Sequence, residues 1–192
     1  MEEGRLPWTA EKMSTDSILK ALNILFRHAR LDIPYYVVAA DELRGHVCYE
    51  KLPAVVIQNI DDGKGVHWIA YYVHNVNEFE YFDSYGIDLN IYYKVQRPRG
   101  RMVRENCTVL QSASSYVCGN YCILYVYSRA IGISYEQFLK QFNHSGRHND
   151  NIVRRFVNNI PTMKSACKHA CSTKLQSNTC KAKCPSLTRR WW

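Results

Sequence analysis

The 192-residue chain lacks any apolar run approaching the roughly 20 residues that cross a bilayer as a helix. Its opening stretch, MEEGRLPWTAEK, is polar and acidic and has no signal-peptide core, so the expectation is a soluble, intracellular, non-secreted protein without a membrane partner. Glycine and proline are scarce, at 9 and 6 residues, while hydrophobic residues make up 46% and charged residues 22%. These proportions exclude collagen, coiled coil and extended disorder. No zinc-finger or homeodomain spacing is present, which argues against sequence-specific DNA reading. Acidic residues are thin in one half: residues 91–192 hold 17 Lys and Arg against 3 acids, a net +14, whereas residues 1–90 hold 8 against 14, a net −6. Such a split points to contact with a polyanion such as nucleic acid, or to a solvated basic surface that serves solubility.

The length suits one domain with a proper core, assigned to residues 1–160, plus a short appendage, 161–192. Residues 14–27 read as an amphipathic helix capped within Ser14 to Asp16, with Ile18, Leu19, Leu22, Leu25 and Phe26 on one face. Four runs rich in β-branched and aromatic residues follow, at 34–40, 53–60, 65–73 and 78–83. The last three read as strands joined by polar turns, an antiparallel meander. Residues 94–104, KVQRPRGRMVR, read as a basic Pro/Gly loop. Helices are expected over 119–131, 134–142 and 148–158, the last capped by Asn149 or Asp150 and closed off by Pro161.

Chemistry concentrates at a few positions. His67 lies in the otherwise apolar strand GVHWIAYYV, where a histidine is ordinarily a satisfied core residue. Sixteen positions on, at the end of the next strand, Asp83 in EYFDSYG can be brought beside the ring by antiparallel pairing. Cys118 stands where QSASSYV gives way to an apolar helix. The helix dipole and free N–H groups favour a thiolate there. A thiolate nucleophile, an imidazole that accepts and returns the proton, and a carboxylate that orients the imidazole are the ingredients of a cysteine protease. Gly119 is expected to let a substrate carbonyl approach the backbone. Gln111, seven residues before Cys118, offers an amide donor that would join the Cys118 N–H at the oxyanion, a contribution of about 3 kcal/mol.

The chain order His67, Asp83, Gln111, Cys118, set in GVHWIAYYV, EYFDSYG and LQSASSYVCGNYC, resembles the adenovirus-type (adenain-like) cysteine proteases. Within that family it is most similar to those of Maverick/Polinton and adintovirus-like elements. The likeness covers about residues 50–160 and includes HNDNIVRRFV. It implies an α+β, papain-like/adenain-like fold: a central mixed β-sheet packed with helices, the nucleophile at the N-terminus of a central helix. It also implies His67 as general base and acid, Asp83 as its partner, Cys118 as nucleophile, Gln111 as oxyanion donor and Trp68 as an aromatic packed near the site. The adenovirus enzyme itself carries Glu at the acid position, so Asp83 is a departure, shared with SUMO-specific proteases. The implied activity is cleavage of viral capsid or core precursor proteins during maturation, in the virion or the host nucleus or cytoplasm. The resemblance implies DNA, held non-specifically by its phosphate backbone, and an activating peptide attached by a disulfide as partners, while the basic stretch itself offers Lys94, Arg97, Arg99, Arg101 and Arg104 as the DNA contacts; the chemistry needs no cofactor.

Two other functions fit parts of the pattern. A SUMO or ubiquitin-like isopeptidase shares the ordered catalytic set, and a non-enzymatic basic virion DNA-binding protein could be built on an inactivated protease scaffold. Cys107 loosely resembles the cysteine that takes the activating peptide, whereas Cys48 and Cys122 read as buried small hydrophobes. In the appendage, Cys167, Cys171, Cys180 and Cys184 form two Cys-x3-Cys pairs. Two disulfides are the favoured reading, ahead of a four-Cys zinc site or free thiols, although a reducing interior opposes disulfides until a particle leaves the cell. The ending CPSLTRRWW resembles the activating peptide in character, so the tail could be a built-in activator or a basic DNA tether.

Overall fold

In the computed structural model, residues 12–61 and 66–172 are described. Eleven elements are formed by α1 (Thr15–Ala29), β1 (Tyr35–Val38), α2 (Leu43–His46), β2 (Ala54–Asp61), β3 (Val66–Asn75), β4 (Glu78–Phe82), a 3-10 turn (Leu89–Ile91), β5 (Arg101–Arg104), α3 (Cys118–Ala130), α4 (Tyr135–Leu139) and α5 (Gly146–Ser172). The class is α+β, with one five-stranded mixed sheet in the order β1-β2-β3-β4-β5. The meander expected from the sequence is the centre of this sheet: β2 pairs antiparallel with β3, and β3 with β4.

Strand alternation sorts the core into two layers. Val55 and Ile57 of β2, Trp68 and Ala70 of β3 and Phe82 of β4 face α1, α3 and α5. Val56, Ile69, Tyr71, Val73, Phe79 and Tyr81 face the other way, against Val38, Leu43, Val47 and Leu89. Helix α3 is buried around almost its whole circumference, which explains why its sequence is apolar without a polar stripe. Helix α1 keeps one apolar face and is capped by the Ser14 hydroxyl, which accepts from the Ser17 N–H at 3.2 Å.

Several expectations need correction. The run at 34–40 contains a strand, β1, which pairs parallel with β2 and therefore has no hairpin turn to announce it. Within the basic stretch 94–104, Arg101–Arg104 is not loop but edge strand β5, parallel to β4. Helix α4 is shorter than expected and starts on a Ser134–Gln137 capping box. Helix α5 begins earlier, at Gly146, so Asn149 and Asp150 are not its caps. The Asn149 amide instead donates to the carbonyls of Leu110 and Asn143, and Asp150 accepts from the Tyr121 hydroxyl. Nor does Pro161 stop that helix, which runs on to Ser172. A proline inside a helix forfeits one N–H bond, here the one to the carbonyl four residues earlier, and the turn survives that loss.

Candidate active site

His67 occupies the second position of β3, and Asp83 follows the last residue of β4. Their strands pair antiparallel, so both reach the same end of the sheet. His67 Nε2 lies 3.1 Å from Asp83 Oδ2. The carboxylate is fully buried but well supplied with donors: Tyr92 hydroxyl to Oδ2 at 2.9 Å, Tyr81 hydroxyl to Oδ2 at 3.2 Å and the Tyr85 N–H to Oδ1 at 2.7 Å. Tyr81 has a single hydroxyl proton and a nearer second acceptor, the Ile87 carbonyl at 2.9 Å, so Tyr92 is the firmer of the two hydroxyl donors.

The tight turn of Asp83-Ser84-Tyr85-Gly86 fixes this carboxylate. Its side chain takes the N–H two residues on, and its carbonyl takes the Gly86 N–H at 2.9 Å. Gly86 has φ +63°, and a Cβ there would lie 2.8 Å from the Thr108 backbone, so only glycine fits. The same turn is stitched to the segment leading to the nucleophile. Asn106 brackets Asp83, accepting its N–H at 3.0 Å and donating to its carbonyl at 2.6 Å. The Ser84 carbonyl accepts the N–H groups of both Leu110 and Gln111.

Cys118 opens α3, where the first N–H groups have no intrahelical acceptor, and no side chain caps that end. Burial alone would lower the His67 pKa. Hydrogen bonds to Asp83 and Cys118, and the charges of both, outweigh it and raise the ring from 6.5 to about 9. With Nε2 turned to Asp83, Nδ1 is the nitrogen left for the thiol. Cys122, one turn further along α3, is different in kind: it is wholly buried, burial pushes its thiol far up, and its sulfur sits on the Trp68 carbonyl at 3.3 Å.

Two expected roles look different in three dimensions. Gly119 is buried, and the side of its Cα that would carry a side chain faces the packed interior. The place of its missing side chain lies 3.1 Å from Met13 Cβ, 3.4 Å from Trp68 Cδ1 and 3.5 Å from Ile18 Cδ1, so its smallness serves helix packing. Trp68 does pack there, on the helix face of the sheet, with its indole N–H donating to the Met13 carbonyl at 3.1 Å. Gln111 is buried with its amide already engaged: Nε2 donates to the Ser115 carbonyl at 2.9 Å and to the Tyr85 hydroxyl at 3.0 Å, and Oε1 accepts from Ser84 at 2.7 Å.

The basic stretch is partly neutralised. Arg101 pairs with Glu78 at 3.3 Å and Arg104 with Glu136 at 3.0 Å, while Arg97 donates to Asn90 and to the Leu89 carbonyl. Lys94 and Arg99 lie over the rings of Tyr93 and Tyr49 and have no carboxylate partner among the described residues. Cys48 is half-buried rather than buried, Cys122 is buried as expected, and Cys107 is exposed; all three are free thiols. The backbone at Cys167 and Cys171 is part of α5, but the side chains of the four tail cysteines, and with them the disulfide, zinc and activator readings, lie outside the described residues.

A second polar cluster lies at the other end of β3. Buried Glu80 accepts from Arg129 at 2.7 and 3.0 Å, from Tyr125 at 3.0 Å and contacts His74 at 3.0 Å. It borders a cavity of about 520 Å³ that none of His67, Asp83, Gln111 and Cys118 lines. At about 3.3 Å per residue, His74 is roughly 23 Å along the strand from His67. Glu80 is saturated by its partners, and the Ser134 hydroxyl in the cavity wall is engaged as the cap of α4, accepting the Gln137 N–H at 3.1 Å.

The sequence pointed to none of Tyr81, Ser84, Tyr85, Tyr92 and Asn106 as site residues. The tyrosines read as strand and core residues there, and only EYFDSYG marked the turn. Compared with known protein families and with curated proteins, the chain matches none.

Proposed function

We propose that the chain is a cysteine endopeptidase of the adenain-like kind, with a papain-like arrangement of sheet and nucleophile helix, that cleaves viral precursor proteins. The observation that carries this reading is the His67 imidazole held between a buried carboxylate and a thiol at a helix N-terminus, with its pKa raised to about 9 by Asp83 and Cys118.

In the proposed reaction the imidazole takes the Cys118 proton, and the sulfur attacks the scissile carbonyl carbon. The C–S bond forms and the carbonyl π pair moves onto oxygen. As the carbonyl reforms, the C–N bond breaks and the leaving nitrogen takes the proton from His67. Water, deprotonated by His67, then attacks the thioester, and Cys118 leaves as thiolate. Asp83 holds the ring in the orientation that serves both transfers, and Tyr92, Tyr81 and the Tyr85 N–H hold Asp83. Proton transfer by a positioned imidazole is worth about 100- to 10,000-fold. DNA as a stimulating partner belongs to the same proposal and rests on the +14 charge of residues 91–192.

The test incubates wild type and Cys118→Ala with capsid precursor proteins encoded beside this chain, and with SUMO and ubiquitin fusions. Cutting of the precursors that disappears in Cys118→Ala supports the reading. Cutting of the fusions alone would assign the chain to the isopeptidases, and no cutting of either would leave a non-enzymatic virion protein.

A further inference from the structure

The Gln111 carboxamide has no spare hydrogen. Nε2 carries two, and they go to the Ser115 carbonyl at 2.9 Å and the Tyr85 hydroxyl at 3.0 Å; Oε1 is taken by Ser84 at 2.7 Å. The side chain is 2% exposed and pinned at three points. Tyr85 is its outward neighbour. The phenol ring is half-buried, its centroid 5.2 Å from that of His67, and its hydroxyl donates to the Ser115 carbonyl at 3.2 Å.

We propose that the Tyr85 hydroxyl is the side-chain donor that meets the oxyanion, beside the Cys118 backbone N–H, and that Gln111 is a positioning residue that holds this hydroxyl. The proposal rests on the cysteine-protease reading. Its strength lies in what each alternative leaves unpaired. If Tyr85 turns its O–H about the C–O bond from Ser115 to the oxyanion, the Ser115 carbonyl keeps the Gln111 N–H. Gln111 then keeps both acceptors, and no buried group is orphaned. If Gln111 itself turned to the oxyanion, it would abandon either a buried carbonyl or the hydroxyl, and strain its bond to Ser84. A phenol that accepts an N–H is polarised toward donating its own proton, and an O–H donor to an anion makes a short, strong bond. Burial, followed by the charges of Cys118, Asp150, Asp83 and Tyr116, raises the Tyr85 pKa above 10, so the hydroxyl keeps its proton at working pH.

The test uses the full chain with the p-nitrophenyl ester of N-acetylglycine as substrate, and acetylglycyl-glycinal, whose thiol adduct carries the tetrahedral oxygen. Tyr85→Phe keeps the ring and should lower kcat by about 100-fold with KM little changed. It should weaken the aldehyde by a similar factor while leaving binding of the matching alcohol unaltered. Gln111→Glu, which offers the hydroxyl an acceptor and draws its proton inward, should lose a similar factor, and Tyr85→Phe added to it should lose little more. A Cys118-dependent enzyme whose Tyr85→Phe variant retains or exceeds wild-type kcat overturns the role of Tyr85 and leaves the protease reading standing. If Tyr85→Phe does not fold, undiminished kcat in Gln111→Glu overturns it equally. Wild type without any Cys118-dependent turnover or aldehyde adduct overturns both.

Discussion

His67 Nε2 and Asp83 Oδ2 stand 3.1 Å apart, and the imidazole is thereby tied to the least accessible carboxylate of the site. This tie sets a pH dependence. With the ring pKa raised to about 9, wild-type kcat/KM should hold through neutral pH and fall as pH rises through about 9. In Asp83→Asn that upper limb should move down toward 6.5, as read from the pH profile. A folded pKa above the unfolded 6.5 also stabilises the fold, by about 3 kcal/mol. That contribution is complete below about pH 6.5 and disappears as pH rises through 9; denaturant titrations of wild type and His67→Ala at pH 6 and pH 10 should show it.

Thiol reactivity should separate two cysteines one helical turn apart. Iodoacetamide should label Cys118 in the folded protein and leave Cys122 untouched until unfolding, since Cys122 is wholly buried with its thiol pKa pushed up. Replacing His67 with Ala should slow the Cys118 reaction roughly tenfold or more. Peptide mapping by mass spectrometry reads both results, and equal labelling of the two thiols would contradict the assignment.

Gly86→Ala should loosen the site at its turn. The φ of +63° and the Thr108 backbone 2.8 Å away leave a methyl no position. The conformational term alone is about 1–3 kcal/mol, which corresponds to a fall of roughly 2–12 °C in Tm. Turnover should drop as well, because the same turn carries Asp83 and anchors Gln111; calorimetry and kinetics on one preparation check both.

Glu80→Ala should be among the most destabilising changes, with little effect on the chemistry of molecules that remain folded. It strips the partner from Arg129, whose side chain is 11% exposed, and leaves a buried charge unpaired, a loss of about 3–5 kcal/mol. Glu80→Gln keeps an acceptor and should lose less. Urea unfolding of the three proteins orders them; equal stability would mean that Arg129 finds another partner.

Duplex DNA should raise turnover at low salt and lose its effect as salt rises, since the contact is with phosphates. Lys94→Glu with Arg99→Glu should weaken the effect more than the same change at Arg101 and Arg104, which Glu78 and Glu136 already engage. Turnover indifferent to DNA at every salt concentration would remove nucleic acid from the proposal.

Much of the fold was legible locally. The face of α1, its Ser14 cap and the β2-β3-β4 meander follow from spacing and short turns. Strands β1 and β5 were not, because each joins the sheet by a parallel pairing whose partner is distant in sequence and whose connection has no tight-turn signature. Pro161 misled for the opposite reason: a local breaker was overridden by the helix around it.

The sequence by itself determined the ingredients: a histidine inside an apolar strand, an acid at the end of the next strand, a cysteine at the head of an apolar helix, and a glycine after FDSY. Tertiary structure decided their company. Only the folded chain places Tyr81 and Tyr92 on Asp83, and Asn106 across the turn. Only there does Gly119 prove to be a packing residue, and Gln111 spend its amide on Tyr85 and Ser115. The physical reason is that a buried polar atom must find a partner wherever the packed chain supplies one, and such partners lie up to 55 residues away in sequence.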